Sequence, residues 1–134
     1  MLNHQHDLII TNRDFARLRP LLDQHETPAS ELLELELQRA RIVPTMVVPP
    51  DVVTMNSEVV YEDCDTFAKR TVRIVYPKDA DAANGRVSVL APIGSALLGL
   101  RTGQTITWEV PNGRKRIRVV EIRYQPEACG DYQL

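Results

Sequence analysis

The run Ser88-Val89-Leu90-Ala91-Pro92-Ile93-Gly94-Ser95-Ala96-Leu97-Leu98-Gly99 constrains this chain more than any other stretch. Val87 and Val89 alternate with Arg86 and Ser88, the period-two pattern of a half-buried strand. Pro92 suits the first turn of a helix, where its missing N–H costs nothing. Ala96, Leu97 and Leu98 carry that helix on, and Gly99 supplies the left-handed conformation that closes it. A helix of about six or seven residues cannot stand alone in water, so this one must be pinned on a sheet.

The flanking sequence provides the sheet. Val52 and Val53 lead in, then Val59 and Tyr61 alternate with Glu58, Val60 and Glu62. Val72, Ile74 and Tyr76 alternate with Thr71, Arg73 and Val75, ending at Pro77. Ile106, Trp108 and Val110 form an inward face, and Asn112-Gly113 signals a tight hairpin turn. In the last strand Ile117 and Val119 share one parity while Ile122 and Tyr124 share the other, which predicts a β-bulge near Val119-Val120.

The N-terminal third reads as helix. Thr11 stands three residues before Asp14 in the manner of a capping box, and Phe15, Leu18, Leu21 and Leu22 keep helical spacing to about Asp23. Pro20 predicts a kink or an early stop. Pro28 or Ser30 opens a second helix with Leu33, Leu37 and Ala40 on one face; Leu32 and Leu35 widen that face, and Glu31, Glu34, Glu36 and Arg39 stay wet. Two helices of about 12 residues form an antiparallel hairpin with arms only about 18 Å long. Pro44, Pro49 and Pro50 then mark a linker. The expected fold class is α+β, with a short helical hairpin (coiled coil) over 1–43, a Pro-rich linker over 44–50, and a mainly antiparallel sheet with one short helix over 51–134.

At 134 residues the chain is one ordinary domain, or a small domain with a helical appendage. The net charge of −2 argues against free nucleic acid as a main partner, because phosphate binding needs a basic surface. Cys64 and Cys129 stand in neither a CxxC nor a Cys-His spacing, which excludes a metal or redox motif at either. The start Met1-Leu2-Asn3-His4-Gln5-His6-Asp7 lacks the basic and apolar regions of an export signal. No stretch approaches the roughly 18 apolar residues of a membrane span. The expectation is a cytoplasmic, monomeric protein with reduced cysteines, no membrane contact and no cofactor; the hairpin is expected to fold its apolar seam on itself.

Few residues carry chemistry. Asp23 and Glu26 place two carboxylates at the hairpin tip, a donor type suited to a hard cation such as Mg²⁺. His4-x-His6 with Asp7 looks like a metal tract, but terminal residues without support rarely ligate. Asp63-Cys64-Asp65 and Asp79-Ala80-Asp81 lack the Gly turn and closing Glu of a Ca²⁺ loop and read as ordinary loops. Arg114, Arg116 and Arg118 fall on one strand face, either a wet outer surface or an accessory patch for an acidic protein. No aromatic interleaves them, so base stacking is not expected.

One resemblance joins these pieces. The strand, Ala91-Pro92-Ile93-Gly94, Ala96-Leu97-Leu98-Gly99-Leu100 and Gly103 resemble the C-terminal domain of the Gre transcript-cleavage factors. Asp51-Val52-Val53-Thr54-Met55-Asn56-Ser57 and Tyr124-Gln125-Pro126-Glu127-Ala128, with Gly130-Asp131-Tyr132, resemble its Rnk branch, the regulators of nucleoside diphosphate kinase, across residues 7–134. The resemblance implies an FKBP-like C-terminal domain and a partner, bacterial RNA polymerase, held at the helices rimming its secondary channel. It places the contact at Leu90, Ala91, Pro92 and Ile93, where Leu90 stands in place of a frequent acid. In Gre factors an acidic pair at the tip of a much longer hairpin reaches the polymerase active site; an 18 Å arm cannot deliver Asp23 and Glu26 there. The resemblance therefore implies a non-enzymatic regulator of transcription that competes with Gre-type factors, with an effect on nucleoside diphosphate kinase levels. Its rivals are an active cleavage factor using Asp23 and Glu26, and a proline isomerase, for which Trp108 and four tyrosines offer few of the aromatics needed.

Overall fold

A computed structural model gives the architecture and describes residues 2–3, 8–110, 113–132 and 134. A six-stranded sheet is built from β1 (Leu2–Asn3), β4 (Glu58–Asp63), β5 (Lys69–Val75), β6 (Arg86–Ser88), β7 (Thr105–Val110) and β8 (Gly113–Tyr124). A second, two-stranded sheet pairs β2 (Ile9–Thr11) with β3 (Arg41–Val43). The larger sheet runs β1-β7-β8-β4-β5-β6, antiparallel except for the parallel pair β5–β6. The chain is thus α+β.

The register of β8 on β4 confirms the bulge. Val60 faces Glu121 while Tyr61 faces Val119, so Val120 is the extra residue. A second irregularity at Arg123 separates Tyr124 from Ile122. Val110 pairs with Gly113, while Pro111 and Asn112 of the expected turn lie outside the described residues, as do His4, His6 and Asp7.

Helices α1 (Asn12–Gln24) and α2 (Pro28–Arg39) form the hairpin, 13 and 12 residues long and therefore about 20 and 18 Å. Thr11 caps α1 by accepting the Asp14 N–H at 3.0 Å, and Thr27 and Ser30 make a reciprocal box on α2. Pro20 neither stops nor shortens α1, which continues through Gln24. On α2 the expected polarity is corrected at two positions: Leu35 is 54% exposed and Glu36 only 6%. At 100° per residue Leu35 sits about 200° from Leu33, on the far side of the helix, whereas Glu36 lies about 60° from Leu33 and about 40° from Ala40, at the edge of the buried face. Glu36 keeps its carboxylate 4.0 Å from Arg39.

The hairpin does not bury its seam only on itself. Leu18, Leu22, Leu33 and Leu37 belong to one core with Leu8, Ile10, Met55, Ile74, Leu97 and Leu100. At its root the Ile9 amide donates to Gly99 O at 3.2 Å, and the Asp14 carboxylate accepts the Met55 N–H at 3.0 Å. Thr54, the neighbour of Met55, donates to Glu127 at 2.7 Å, and Gln125 donates to the carbonyls of Pro49 and Val52, each at 2.8 Å. The Asp51–Ser57 run is thereby the clamp between hairpin, sheet and C-terminal turn.

Candidate functional site

Helix α3 (Pro92–Leu97) begins one residue after the turn that ends β6. Three bonds fold that turn: Val89 N–H to Val75 O at 2.8 Å, Leu90 N–H to Ser88 Oγ at 3.1 Å, and Ala91 N–H to Ser88 O at 2.9 Å. Inside the helix Ser95 Oγ donates back to the Ala91 and Pro92 carbonyls, each at 3.2 Å. Gly94 permits the close approach: a Cβ there would sit 2.2 Å from Ser88 O. Absence of a side chain, rather than backbone freedom, is what this position requires.

The corner sorts its own residues. Leu97 and Ala96 are fully buried and belong to the core. Pro92 is exposed, and Leu90, Ala91 and Ile93 are half-buried around it. Ile93 also lines a cleft of about 410 Å³ with Tyr61, Asp63, Thr66, Ala68, Arg70, Lys115 and Ile117. The lining is apolar at Ala68, Ile93 and Ile117, and it carries Arg70 and Lys115 against the single acid Asp63. Lys115 Nζ lies 3.1 Å from Asp63, which also accepts the amides of Asp65 and Thr66 at 2.8 and 3.2 Å. The Asp65 amide, then Lys115 and the Thr66 amide, hold the Asp63 carboxyl below its ordinary range. Its two bonded amides explain the Asp63-Cys64-Asp65 run as turn chemistry.

The other sequence candidates lie apart from this cleft. Arg114, Arg116 and Arg118 are exposed on β8 with the parity opposite to Lys115 and Ile117, so they face away from it. Arg118 pairs with Glu62 at 3.3 Å and Arg116 with Asp65 at 3.8 Å, so at least two of the three charges of the patch are met within the chain. At the hairpin tip Asp23 occupies the last turn of α1 and Glu26 the loop, both exposed. Arg19 holds Asp23 at 3.6 Å and reaches across to Glu34 on α2 at 2.9 Å. Asp23 is thus already engaged within the hairpin. Among the described residues no three His, Cys, Asp or Glu side chains converge as a metal site. Among the same residues no helix is long and apolar enough to cross a membrane.

Burial also acts on Asp14 at the hairpin root. It raises that carboxyl to about 6, with Glu127 adding to the rise and the Met55 amide, Thr11 and Arg17 opposing it. Sequence reasoning missed this clamp and the cleft-lining Tyr61, Arg70 and Ile117. Strand parity alone marks Tyr61 and Ile117 as inward, but no local pattern shows that they share a cleft with Ile93.

Comparison with known proteins agrees with this arrangement. The family described as "Transcription elongation factor, GreA/GreB, C-term" matches residues 48–124, and "Rnk N-terminus" matches residues 7–43. The regulator of nucleoside diphosphate kinase of Escherichia coli is 42% identical over 131 residues, covering 95% of this chain and 96% of the relative. The transcription elongation factor GreA of Azorhizobium caulinodans is 29% identical over 119 residues, covering 89% and 75%. A solved structure titled "Prokaryotic transcription elongation factor GreA/GreB from Nitrosomonas europaea" superimposes with a TM-score of 0.74 at 41% identity, covering 90% of this chain and all of that one.

Proposed function

Since this chain belongs to the GreA/GreB family of transcription factors, in the branch that carries the Rnk N-terminal region, we propose that it regulates transcription without catalysis by occupying the rim of the RNA polymerase secondary channel. It binds the helices of that rim through Leu90, Ala91, Pro92 and Ile93 and the cleft beside them, and it keeps Gre-type factors out. Altered nucleoside diphosphate kinase levels follow as a transcriptional consequence. The observation that carries this reading is the length and state of the hairpin: arms of about 20 and 18 Å, with Asp23 tied back to Arg19. Such an arm anchors a molecule at an entrance without reaching an active site behind it.

In this reading the hairpin within residues 1–43 is the arm, 44–50 the connection and 51–134 the anchoring, FKBP-like domain, working as a cytoplasmic monomer. The corner supports the role physically, because it presents an exposed proline on a backbone fixed by three hydrogen bonds, so little ordering entropy is lost on docking.

The test is retention of core polymerase on immobilised protein, wild type against Pro92→Asp. An acid in the first turn of a helix is favourable and Pro92 is exposed, so the variant keeps its fold. We expect retention to drop at least tenfold; retention equal to wild type removes the proposed anchor.

A further inference from the structure

Phe67 stands in the turn between β4 and β5 with φ +63° and 73% of its surface exposed. A bulky residue in the left-handed region is a conformational outlier, and turns give such positions to Gly or Asn. Asn56, with φ 67°, obeys that rule; Phe67 does not. The turn is not loose. Phe67 N–H donates to Asp63 O at 2.8 Å, Asp63 N–H to Ala68 O at 2.9 Å, and Cys64 N–H to Arg116 O at 2.9 Å, while the Asp63 carboxylate gathers two further amides. Strain is therefore imposed by a closed frame, and the ring it displays buries little against the chain in return. Strained residues that bring no packing gain belong to surfaces used by something else.

Its position says what uses it. Thr66 and Ala68, on either side of Phe67, both line the cleft that Ile93 borders. Within the cleft Asp63 is matched by Lys115, which leaves Arg70 with no ion-pair partner among the described residues. Apolar lining residues, an exposed aromatic beside the cleft and one unmatched cation suit a helix that presents an apolar residue flanked by a carboxylate. We propose that Phe67 anchors an acidic, amphipathic helical segment of the protein partner in the cleft, with Arg70 receiving its acid. This rests on the polymerase reading above and defines the chemistry of the segment recognised.

The experiment measures equilibrium binding of bacterial core RNA polymerase to wild type, Phe67→Gly, Arg70→Glu and Pro92→Asp, together with the thermal midpoint of each free protein. Glycine adopts this φ without strain. Phe67→Gly is expected to melt at or above the wild-type temperature while binding at least tenfold more weakly, with Arg70→Glu weakened as well. Three results overturn the inference: wild-type affinity in Phe67→Gly, a lowered midpoint that makes the ring a packing residue, or Phe67-dependent binding of single-stranded RNA in place of polymerase. In the first case impaired binding by Pro92→Asp leaves the rim reading standing; absence of wild-type binding removes both.

Discussion

Replacing Gly94 by alanine sets a general rule against a specific contact. In a helix interior glycine is about 1 kcal/mol worse than alanine, so propensity predicts a gain in stability. Here the added Cβ would lie 2.2 Å from Ser88 O, against the 3.4 Å at which ordinary contact begins, and the obstacle is backbone rather than a flexible side chain. The helix and the end of β6 must separate by about 1.2 Å. Ser88 O also accepts the Ala91 N–H, so the shift strains the corner itself. Overpacking of this kind costs about 3 kcal/mol at the upper end of its usual range. With about 1 kcal/mol recovered from propensity, the net loss is about 2 kcal/mol, and the melting temperature falls by roughly 6–10 °C for a domain of this size. Thermal denaturation followed by circular dichroism measures it, with the far-ultraviolet spectrum unchanged at 20 °C. A melting temperature equal to or above wild type would refute the close-approach argument.

Three further outcomes follow. Asp14 is held at about 6 in the folded chain against an ordinary 3.8, so its contribution to stability is complete below the ordinary value and is lost as pH rises through 6. Asp14→Asn keeps an oxygen for the Met55 N–H, so unfolding free energies from denaturant titration should lose their fall between pH 4 and 6 and exceed wild type at pH 7.5 by up to roughly 3 kcal/mol; an unchanged pH slope would contradict the assignment. Arg19→Ala removes the bridge between α1 and α2, but both Arg19 and Glu34 are partly solvated. Its cost should stay below about 1 kcal/mol and shrink in high salt, and a loss above about 2 kcal/mol would show the bridge to be structural. Pro92→Asp is expected to lose polymerase while keeping its melting temperature.

What was legible in the sequence was what depends on neighbours along the chain. The cap at Thr11, the opening of α2 at Pro28, the corner before Pro92, the closing Gly99 at φ +86° and the bulge at Val120 all follow from short-range pattern. Leu35 and Glu36 were misplaced because a leucine-rich helix invites counting by composition, whereas the face is set by angle. Pro20 failed to break α1 because tertiary burial of Leu18 and Leu22 on either side outweighs one lost backbone bond. The Asp14–Met55 clamp, the cleft and the unmatched Arg70 join residues 41 or more positions apart or on separate strands, and no local pattern encodes them. Phe67 had a signal that went unused: the turn 63–68 contains neither Gly nor Asn, so some side chain had to take the left-handed position.

Stalled elongation complexes carrying labelled nascent RNA give the sharpest test of whether this protein guards the channel without working inside it. Added alone, it should release no cleavage product; added with a Gre cleavage factor, it should suppress that factor's cleavage in proportion to its concentration. Cleavage by the protein alone that disappears in Asp23→Ala would contradict the account.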